Sequence, residues 1–478
     1  MSLSSALSNA ASGLAASARA VQVASSNVAN ALTEGYAPRR IDLVSASLAG
    51  SGTGVRVAGV DRDIDPILLA MLRDASSAAS NAGTLEGFWR AIEDTVGAPG
   101  EGLSLALNRF SAALIGASER PDLDSRLASV AQAATGLADG FAAMQTGVQG
   151  LRAKADAAID SDVRALNDGL VRLDAMNGQI VRLRASGQST LGVQDERQAL
   201  ISRLSEIVPM REYPRADGRV TLFTTSGQLL LDLKPATIAF ARSPAVDASM
   251  TLGNGLSGLA INGNSLSTGP QGPLSGGRLA ANLVIRDVDG VAVQSRIDAL
   301  AADLVARFED PATDATRAPG QPGLFTDAGN ALAAVPAAGL AGRLAVNTAV
   351  DPLSGGALWR LRDGLGAAVP GPVGASGPLK ALLGALDRPL AAAPGQPQLR
   401  LADALSEVTT RLSLARQGAE DSALRATSRH GDLTGQMLAQ GVDTDTEMQH
   451  LLAIEQAYAA NARVIETTDA MLRRLMEI

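Results

Sequence analysis

Two stretches at opposite ends of this 478-residue chain carry the same alternating three-and-four spacing. In the first, Leu3, Leu7, Ala10, Leu14, Ser17, Val21, Ala24, Val28 and Ala31 follow one another at steps of four and three. In the second, Leu451, Ile454, Tyr458, Asn461, Ile465, Thr468, Leu472 and Leu475 do the same. Such spacing lays the side chains along one seam of an α-helix, as coiled-coil packing requires. Both seams are poor in bulk. A buried CH₂ contributes about 0.8 kcal/mol, while ordering one residue costs about 1–2 kcal/mol, so helices lined by Ala and Ser gain little alone. They are expected to be stabilised chiefly when many copies pack together. Asn461 and Thr468 weaken the second seam but fix its register.

Between the ends the pattern changes several times. Leu43 to Val60 is rich in Gly and Ser (Gly50, Gly52, Gly54) and reads as a linker able to pair as a short hairpin. Asp65-Pro66 opens a helical segment through Arg73, because Pro suits a first helical turn. After Pro121 comes a long seam of Leu127, Val130, Ala134, Leu137, Phe141, Met144, Val148, Leu151 and Ala155, resumed at Val163, Leu166, Leu170, Leu173, Ile180 and Leu183. As one helix over 122–186 it would span about 95 Å at ~1.5 Å per residue. A shorter helix over 195–208 stops at Pro209. Val220 to Thr224 alternates, and Asn254-Gly255, Asn262-Gly263 and Asp289-Gly290 mark turns, so 210–275 is expected to be an inserted β-rich domain. Helical pattern returns over 277–308 and 399–440. The stretch 311–398 is rich in Pro, Gly and Ala and reads as an irregular outer segment, with Phe325, Leu340, Leu344, Val346, Leu358, Trp359 and Leu361 offering some core.

The fold class is therefore mainly α with an inserted β-rich region, arranged as nested shells. Residues 1–42 and 441–478 would form a coiled-coil-like terminal domain. Residues 43–209, 276–310 and 399–440 would form a long-helix core, with 210–275 and 311–398 outermost. An apolar content of 46% with 3% aromatic residues means a core of Ala, Leu and Val, which suits slim bundles. There are no cysteines, so neither disulfides nor thiolate metal sites are available. A net charge of −8 argues against nucleic-acid binding, which needs a clustered basic surface. No apolar run reaches the length of a membrane span, and no cleavable signal peptide is visible.

Candidate chemical sites are weak. His430 and His450 have no metal-clamping partners in sequence and read as solvated helix positions. Gly253-Asn254-Gly255-Leu256-Ser257-Gly258 has the letters of a dinucleotide loop but hairpin surroundings in place of a strand and helix. Asp443-Thr444-Asp445-Thr446-Glu447 lacks the sixth-position Gly and closing Glu of a calcium loop, and reads as a capping box of Thr444 and Glu447. The reading is of a chain that is not an enzyme and carries no cofactor or metal.

Ser25-Ser26-Asn27-Val28-Ala29-Asn30-Ala31-Leu32-Thr33-Glu34-Gly35-Tyr36 resembles the N-terminal motif of the bacterial flagellar rod, hook and hook-associated axial proteins, where an Asn-x-x-Asn helix runs into a Gly-Tyr turn. Gly441-Val442-Asp443, Gln456-Ala457-Tyr458 and Ala462-Arg463-Val464-Ile465 resemble the other end of that family. Phe110 to Pro121 with Arg126, Gln194-Asp195-Glu196-Arg197 and Gly276-Gly277-Arg278-Leu279 resemble its hook-associated members. Glu34 and Ala37-Pro38 depart from the usual Pro before the Gly and Thr or Ser after the Tyr. The resemblance implies a structural subunit at the junction between hook and filament, exported through the flagellum's own type III channel to the outside of the cell without loss of a signal peptide. It also implies partners: copies of itself, the hook protein, a second junction protein, and an export chaperone on the C-terminal helix. The expected assembly residues are Leu3, Leu7, Leu14, Val21, Asn27, Val28, Asn30, Gly35, Tyr36, Leu451, Ile454, Tyr458, Asn461, Ile465, Leu472 and Leu475. Other readings are a hook or rod component, or an enzyme carried in 210–400.

Overall fold

The computed structural model describes residues 3–33, 35–48, 51–97, 101–269, 272–391 and 397–476. Glu34 of the Gly-Tyr turn and Gly50 of the linker lie outside them. The chain opens with helix α1 (Leu3–Ala29), followed by strands β1 (Arg39–Leu48) and β2 (Ser51–Arg62). These strands form a long antiparallel hairpin with register shifts after Asp42 and Ala46, fuller than the short hairpin expected. Helix α2 (Pro66–Val96) starts at the expected proline, with Asp65 accepting the backbone N–H groups of Ile67 and Leu68 as its cap. It runs well past Arg73 because no Pro interrupts the apolar spacing.

Helix α3 (Gly102–Glu119) leads into α4 (Asp124–Ala185), which is a single 62-residue helix. The expected seam of α4 is buried throughout, apart from partly covered Leu151 and Leu183. Helix α5 (Leu191–Ser205) follows, then strands β3 (Met210–Pro214), β4 (Val220–Thr224) and β5 (Leu229–Leu231) in one antiparallel sheet. Short strands β6 (Ile238–Ala239), β7 (Thr251–Leu252), β8 (Gly255–Leu256), β9 (Ala260–Ile261) and β10 (Asn264–Ser265) complete the β-rich stretch. Helices α6 (Gly277–Val284) and α7 (Gly290–Glu309) are joined by a π-helical turn, Ile285–Asp289. Beyond it lie β11 (Phe325–Asp327), α8 (Leu340–Arg343), β12 (Leu344–Val346), α9 (Trp359–Asp363), α10 (Gly377–Asp387), β13 (Leu390–Ala391) and β14 (Gln398–Leu399). Helices α11 (Leu401–Ala439) and α12 (Thr444–Met476) close the set. The architecture is mainly α with an inserted β-rich region. No helix among the described residues is long and apolar enough to cross a membrane.

The contacts divide the chain into two compact units. Met1–Ala78, Asn167–Ala236 and Ala426–Ile478 make the first; Ala79–Leu166 and Thr237–Arg425 make the second. The division falls elsewhere than the nested shells. The stretch 210–275 is not one domain: β3, β4 and β5 belong to the first unit and β6 to β10 to the second. The sheet of β3–β5 is tied within the first unit by Asn177 of α4. Its amide donates to Val220 O at 3.0 Å and accepts from Val220 N at 3.2 Å and Arg197 Nη1 at 3.0 Å. A long-range side chain, invisible to local pattern, thus claims the first three strands.

The segment 311–398, expected to be irregular and outer with some core, lends its sparse apolar residues to the core of the second unit. Phe325, Leu340, Leu344, Val350, Leu361, Leu379, Leu382 and Leu386 join one continuous cluster with α3, α4, α7 and α11. At its centre Phe110, Phe308 and Phe325 pack as a triad, with ring centroids 5.9, 5.5 and 5.1 Å apart. Such aromatic pairs add about 0.5–1.5 kcal/mol beyond the area they bury. Arginines fill the polar seams of the same unit. Arg286 is fully buried against Asp156 and Asp287, at 2.8 Å each. Arg152 donates to the carbonyls of Arg286, Asp247 and Met250, fastening the π-turn to the loop before β7.

Asp162 in this unit meets Arg278 Nε at 2.8 Å, yet burial holds its carboxyl above the ordinary value of 3.8. A carboxyl raised on folding contributes most below its unfolded value, and that contribution is lost as pH rises through the folded value. Asp162→Asn should therefore flatten the loss of stability of the second unit as pH rises above the ordinary carboxyl value of 3.8. Both tryptophans, Trp89 and Trp359, lie in this unit, so urea unfolding followed by their fluorescence reads it directly.

Candidate functional site

Helices α1 and α12 pair antiparallel within the first unit, and glycine sets how close they come. Gly13 lies beneath the side chain of Asn461; a Cβ there would stand 2.7 Å from Asn461 Nδ2. The buried side chains of α1 are Ala10, Ala16, Ser17, Ala20, Val23, Ala24 and Asn27. The contact line thus runs beside the expected seam. Ala10, Ser17 and Ala24 stay on it, while Leu7 and Val21 turn outward at 37% and 38% exposure. Small side chains win the line because they permit the close approach, and larger ones would hold the helices apart. On α12 only Ile454 and Thr468 are fully buried. Leu451, Asn461 and Ile465 are half-buried, and Tyr458, Leu472 and Leu475 are exposed. Leu3, Leu14 and Val28 are half-buried on α1.

The base of the pair is polar. Asn27, at 1% exposure, makes every hydrogen bond its amide can make. Its Nδ2 donates to Arg39 O at 2.9 Å and to Glu447 Oε1 at 2.6 Å. Its Oδ1 accepts from Tyr36 Oη at 2.8 Å and from Arg39 N at 2.9 Å. One side chain therefore joins α1, the Gly-Tyr turn, the start of β1 and the first turn of α12. Asn30 acts more locally, its Nδ2 donating to Ser26 O at 2.9 Å and holding the end of α1. Gly35 adopts φ +79° where an added Cβ would stand 3.0 Å from Ala199 Cβ, so the turn lies close on α5 and excludes a side chain. Arg39 crosses the Tyr36 ring at 5.0 Å.

The acidic-arginine stretch supports this base. Asp195 pairs with Arg62 at 2.8 Å and Arg39 at 3.5 Å, tying the root of the hairpin to α5. Arg73 donates to Glu212, Ser202 and Gln198, and burial lowers its pKa while the guanidinium stays charged. The capping box is corrected. Asp443, not Thr444, caps α12, accepting from Asp445 N at 2.9 Å, and the hydrogen bonds it accepts from Thr446 and Asp445 hold its carboxyl below the ordinary range. Glu447 is thereby released from local capping to reach Asn27. His430 and His450 lie on α11 and α12, and the Gly253–Gly258 stretch sits among short strands. Arg39, Asp195 and Glu447 were missed as members of the base; their only signal was proximity to the motifs, since the meeting of residues 27 and 447 spans 420 positions.

Asn27→Ala would leave the Arg39 N–H and Tyr36 hydroxyl without their acceptor, at about 1–3 kcal/mol per unpaired group. Amide exchange in the first half of α12 should quicken about tenfold or more, since each 1.4 kcal/mol is a factor of ten. Exchange in α7 of the second unit should not change. Hydrogen-exchange mass spectrometry on the full chain reads both.

Comparison with known proteins bears on these ends and on the middle. Residues 89–325 match the family described as flagellar hook-associated protein FlgK helical domain. Residues 434–478 match flagellar basal body rod FlgEFG protein C-terminal, and residues 7–36 match flagella basal body rod protein. The chain is similar to flagellar hook-associated protein 1 of Bacillus subtilis, 26% identical over 48% of this chain and 47% of that one. It is also similar to the Salmonella typhimurium protein of the same name, 27% identical over 52% of this chain and 46% of that one. The chain thus spans about half the length of the curated relatives it matches. A solved structure, the flagellar hook junction protein FlgK from Burkholderia pseudomallei, aligns over 55% of this chain and 46% of its own, at a TM-score of 0.44 and 19% identity. With rod-type models at residues 7–36 and 434–478 and the hook-associated helical model between them, the chain belongs to the bacterial flagellar axial-protein family, as a hook-associated member.

Proposed function

We propose that this chain is a structural subunit of the bacterial flagellum that forms the junction between hook and filament. The observation that carries the reading is the pairing of two rod-type segments, α1 and α12, as one helical pair that buries little on α12. A helix with two fully buried residues among 33 is weakly held by its own chain and gains from neighbours. The second unit, with its continuous core, folds without such help. The role is structural rather than catalytic.

In this reading the subunit leaves the cell through the flagellar type III channel without a cleaved signal peptide and works outside it. The terminal pair packs with copies of itself, with the hook protein on one side and a second junction protein on the other. An export chaperone covers α12 before secretion. The assembly surface comprises the outward residues Leu7, Val21, Tyr458, Leu472 and Leu475, with Leu3, Leu14, Val28, Leu451, Ile454, Asn461 and Ile465 along the pair. Asn27, Asn30, Gly35 and Tyr36 set the base from which it projects.

A specific antibody imaged on intact flagella should mark one narrow band between hook and filament. Label along the hook or rod would keep the axial role but change the part, and flagella without label would end the reading. Replacing Leu451, Ile454 and Leu472 together with Asp should abolish incorporation while tryptophan fluorescence of the second unit stays native. General loss of helicity would contradict the separate folding of the two units.

A further inference from the structure

Asn-Gly is a turn signal in sequence and also a chemical one, because glycine has no side chain to keep its backbone nitrogen away from the preceding carboxamide. The chain has three such pairs, Asn177-Gly178, Asn254-Gly255 and Asn262-Gly263. The fold treats them differently. Asn177 lies inside α4 at 1% exposure, its amide engaged by Val220 and Arg197, and the Gly178 nitrogen belongs to the helical ladder. Asn262 is exposed but clamped. At φ +49° its Oδ1 accepts from Thr237 N at 2.9 Å, and its own N–H donates to Thr237 O at 2.9 Å.

Asn254 lacks such a clamp among the described residues. It is exposed in the turn between β7 and β8, and its Nδ2 donates to Ser249 O at 3.2 Å, the long end of the hydrogen-bond range. The turn is closed by Thr251 N on Asn254 O and Asn254 N on Thr251 O, at 2.9 Å each, and by Gly253 N on Leu256 O at 3.2 Å. None of these bonds uses the backbone nitrogen of Gly255. The carboxamide and the nitrogen that can attack it are both at the surface, next to each other in the chain, where a near-attack arrangement is reached by turning one side chain.

We propose that Asn254 is a site of spontaneous deamidation, selected by the fold from three pairs alike in sequence. Gly255 N attacks Asn254 Cγ and bonds to it. The Cγ–Nδ2 bond breaks, and ammonia leaves with the proton of the Gly255 amide, giving a cyclic succinimide. Water then opens the ring at either carbonyl, leaving an aspartate or, with the backbone routed through the side chain, an isoaspartate. No electrons are transferred, and water is the co-reactant. At Asn262 the Thr237 clamp must first be released, which costs about one hydrogen bond and slows reaction about tenfold.

The consequence reaches the interior. An isoaspartate lengthens the backbone inside the Thr251–Asn254 exchange, directly after Met250. The Met250 carbonyl accepts from Arg152 Nη2 at 2.7 Å, beside the Asp247 carbonyl on Nη1 at 3.0 Å. Arg152 is fully buried, so displacing this loop leaves a guanidinium short of acceptors inside the second unit. The inference does not depend on the assembly role proposed above.

The full-length chain is aged in neutral buffer made with heavy-oxygen water, and its peptides are mapped by mass spectrometry. Heavy oxygen should enter the peptide of position 254 about tenfold or more ahead of those of 262 and 177. In a guanidinium-unfolded sample the three should convert at similar rates. Similar rates in the folded chain, or the same lead for 254 in the unfolded one, would overturn the inference. The aged chain should also unfold at lower urea by the fluorescence of Trp89 and Trp359, while aged Asn254→Gln and fresh Asn254→Asp keep the midpoint of the fresh chain. An equal drop in aged Asn254→Gln, or a drop in fresh Asn254→Asp, would overturn the link from the lengthened turn to Arg152.

Discussion

Asn27 is a buried amide with four hydrogen-bonding places, and the fold fills all of them from three other segments. Leaving a buried polar group unpaired costs more than an average hydrogen bond returns. The turn, the first strand and the last helix must therefore arrive together or not at all. The small-residue line of α1 has the same all-or-none character, since Gly13 accepts Asn461 only at close approach. Together these two devices hold α12 in place despite its two fully buried residues. The terminal pair is consequently specific in geometry yet weak in energy, a combination suited to a part whose remaining surface is completed by other molecules.

The second unit solves the opposite problem. Its aromatic triad draws Phe110, Phe308 and Phe325 from three distant stretches, and its buried arginines satisfy carbonyls that irregular loops would otherwise leave unpaired. In an aromatic-poor chain, this concentration of Phe in one core, with Trp89 packed against it, explains how long slim helices gain a self-sufficient interior.

Much of the fold was legible because helical periodicity is local. The seam of α4 could be read at nearly every position, and the breaks at Pro66, Pro121 and Pro209 bounded the elements around it. The N-terminal motif was legible for a different reason: Asn27, Gly35 and Tyr36 stand in a pattern shared with the family. Their roles were not. Asn30 proves a local clamp and Asn27 the long-range one, although the two occupy equivalent letters of one motif. Thr444 looked like the cap of α12, yet Asp443 lies one residue earlier with its carboxylate placed to accept, and that shift frees Glu447 for the base.

By itself the sequence determined the helices, the turns and the unlike character of ends and middle, because these follow from spacing and composition within a few turns of chain. Tertiary structure alone decided the rest. It divided 210–275 between two units through the reach of Asn177, and turned 311–398 into core by gathering scattered Phe and Leu residues. It also rotated α1 so that Ala, not Val21 or Leu7, faces α12. Each of these outcomes depends on what a side chain meets across many tens or hundreds of residues, and no local period records that distance.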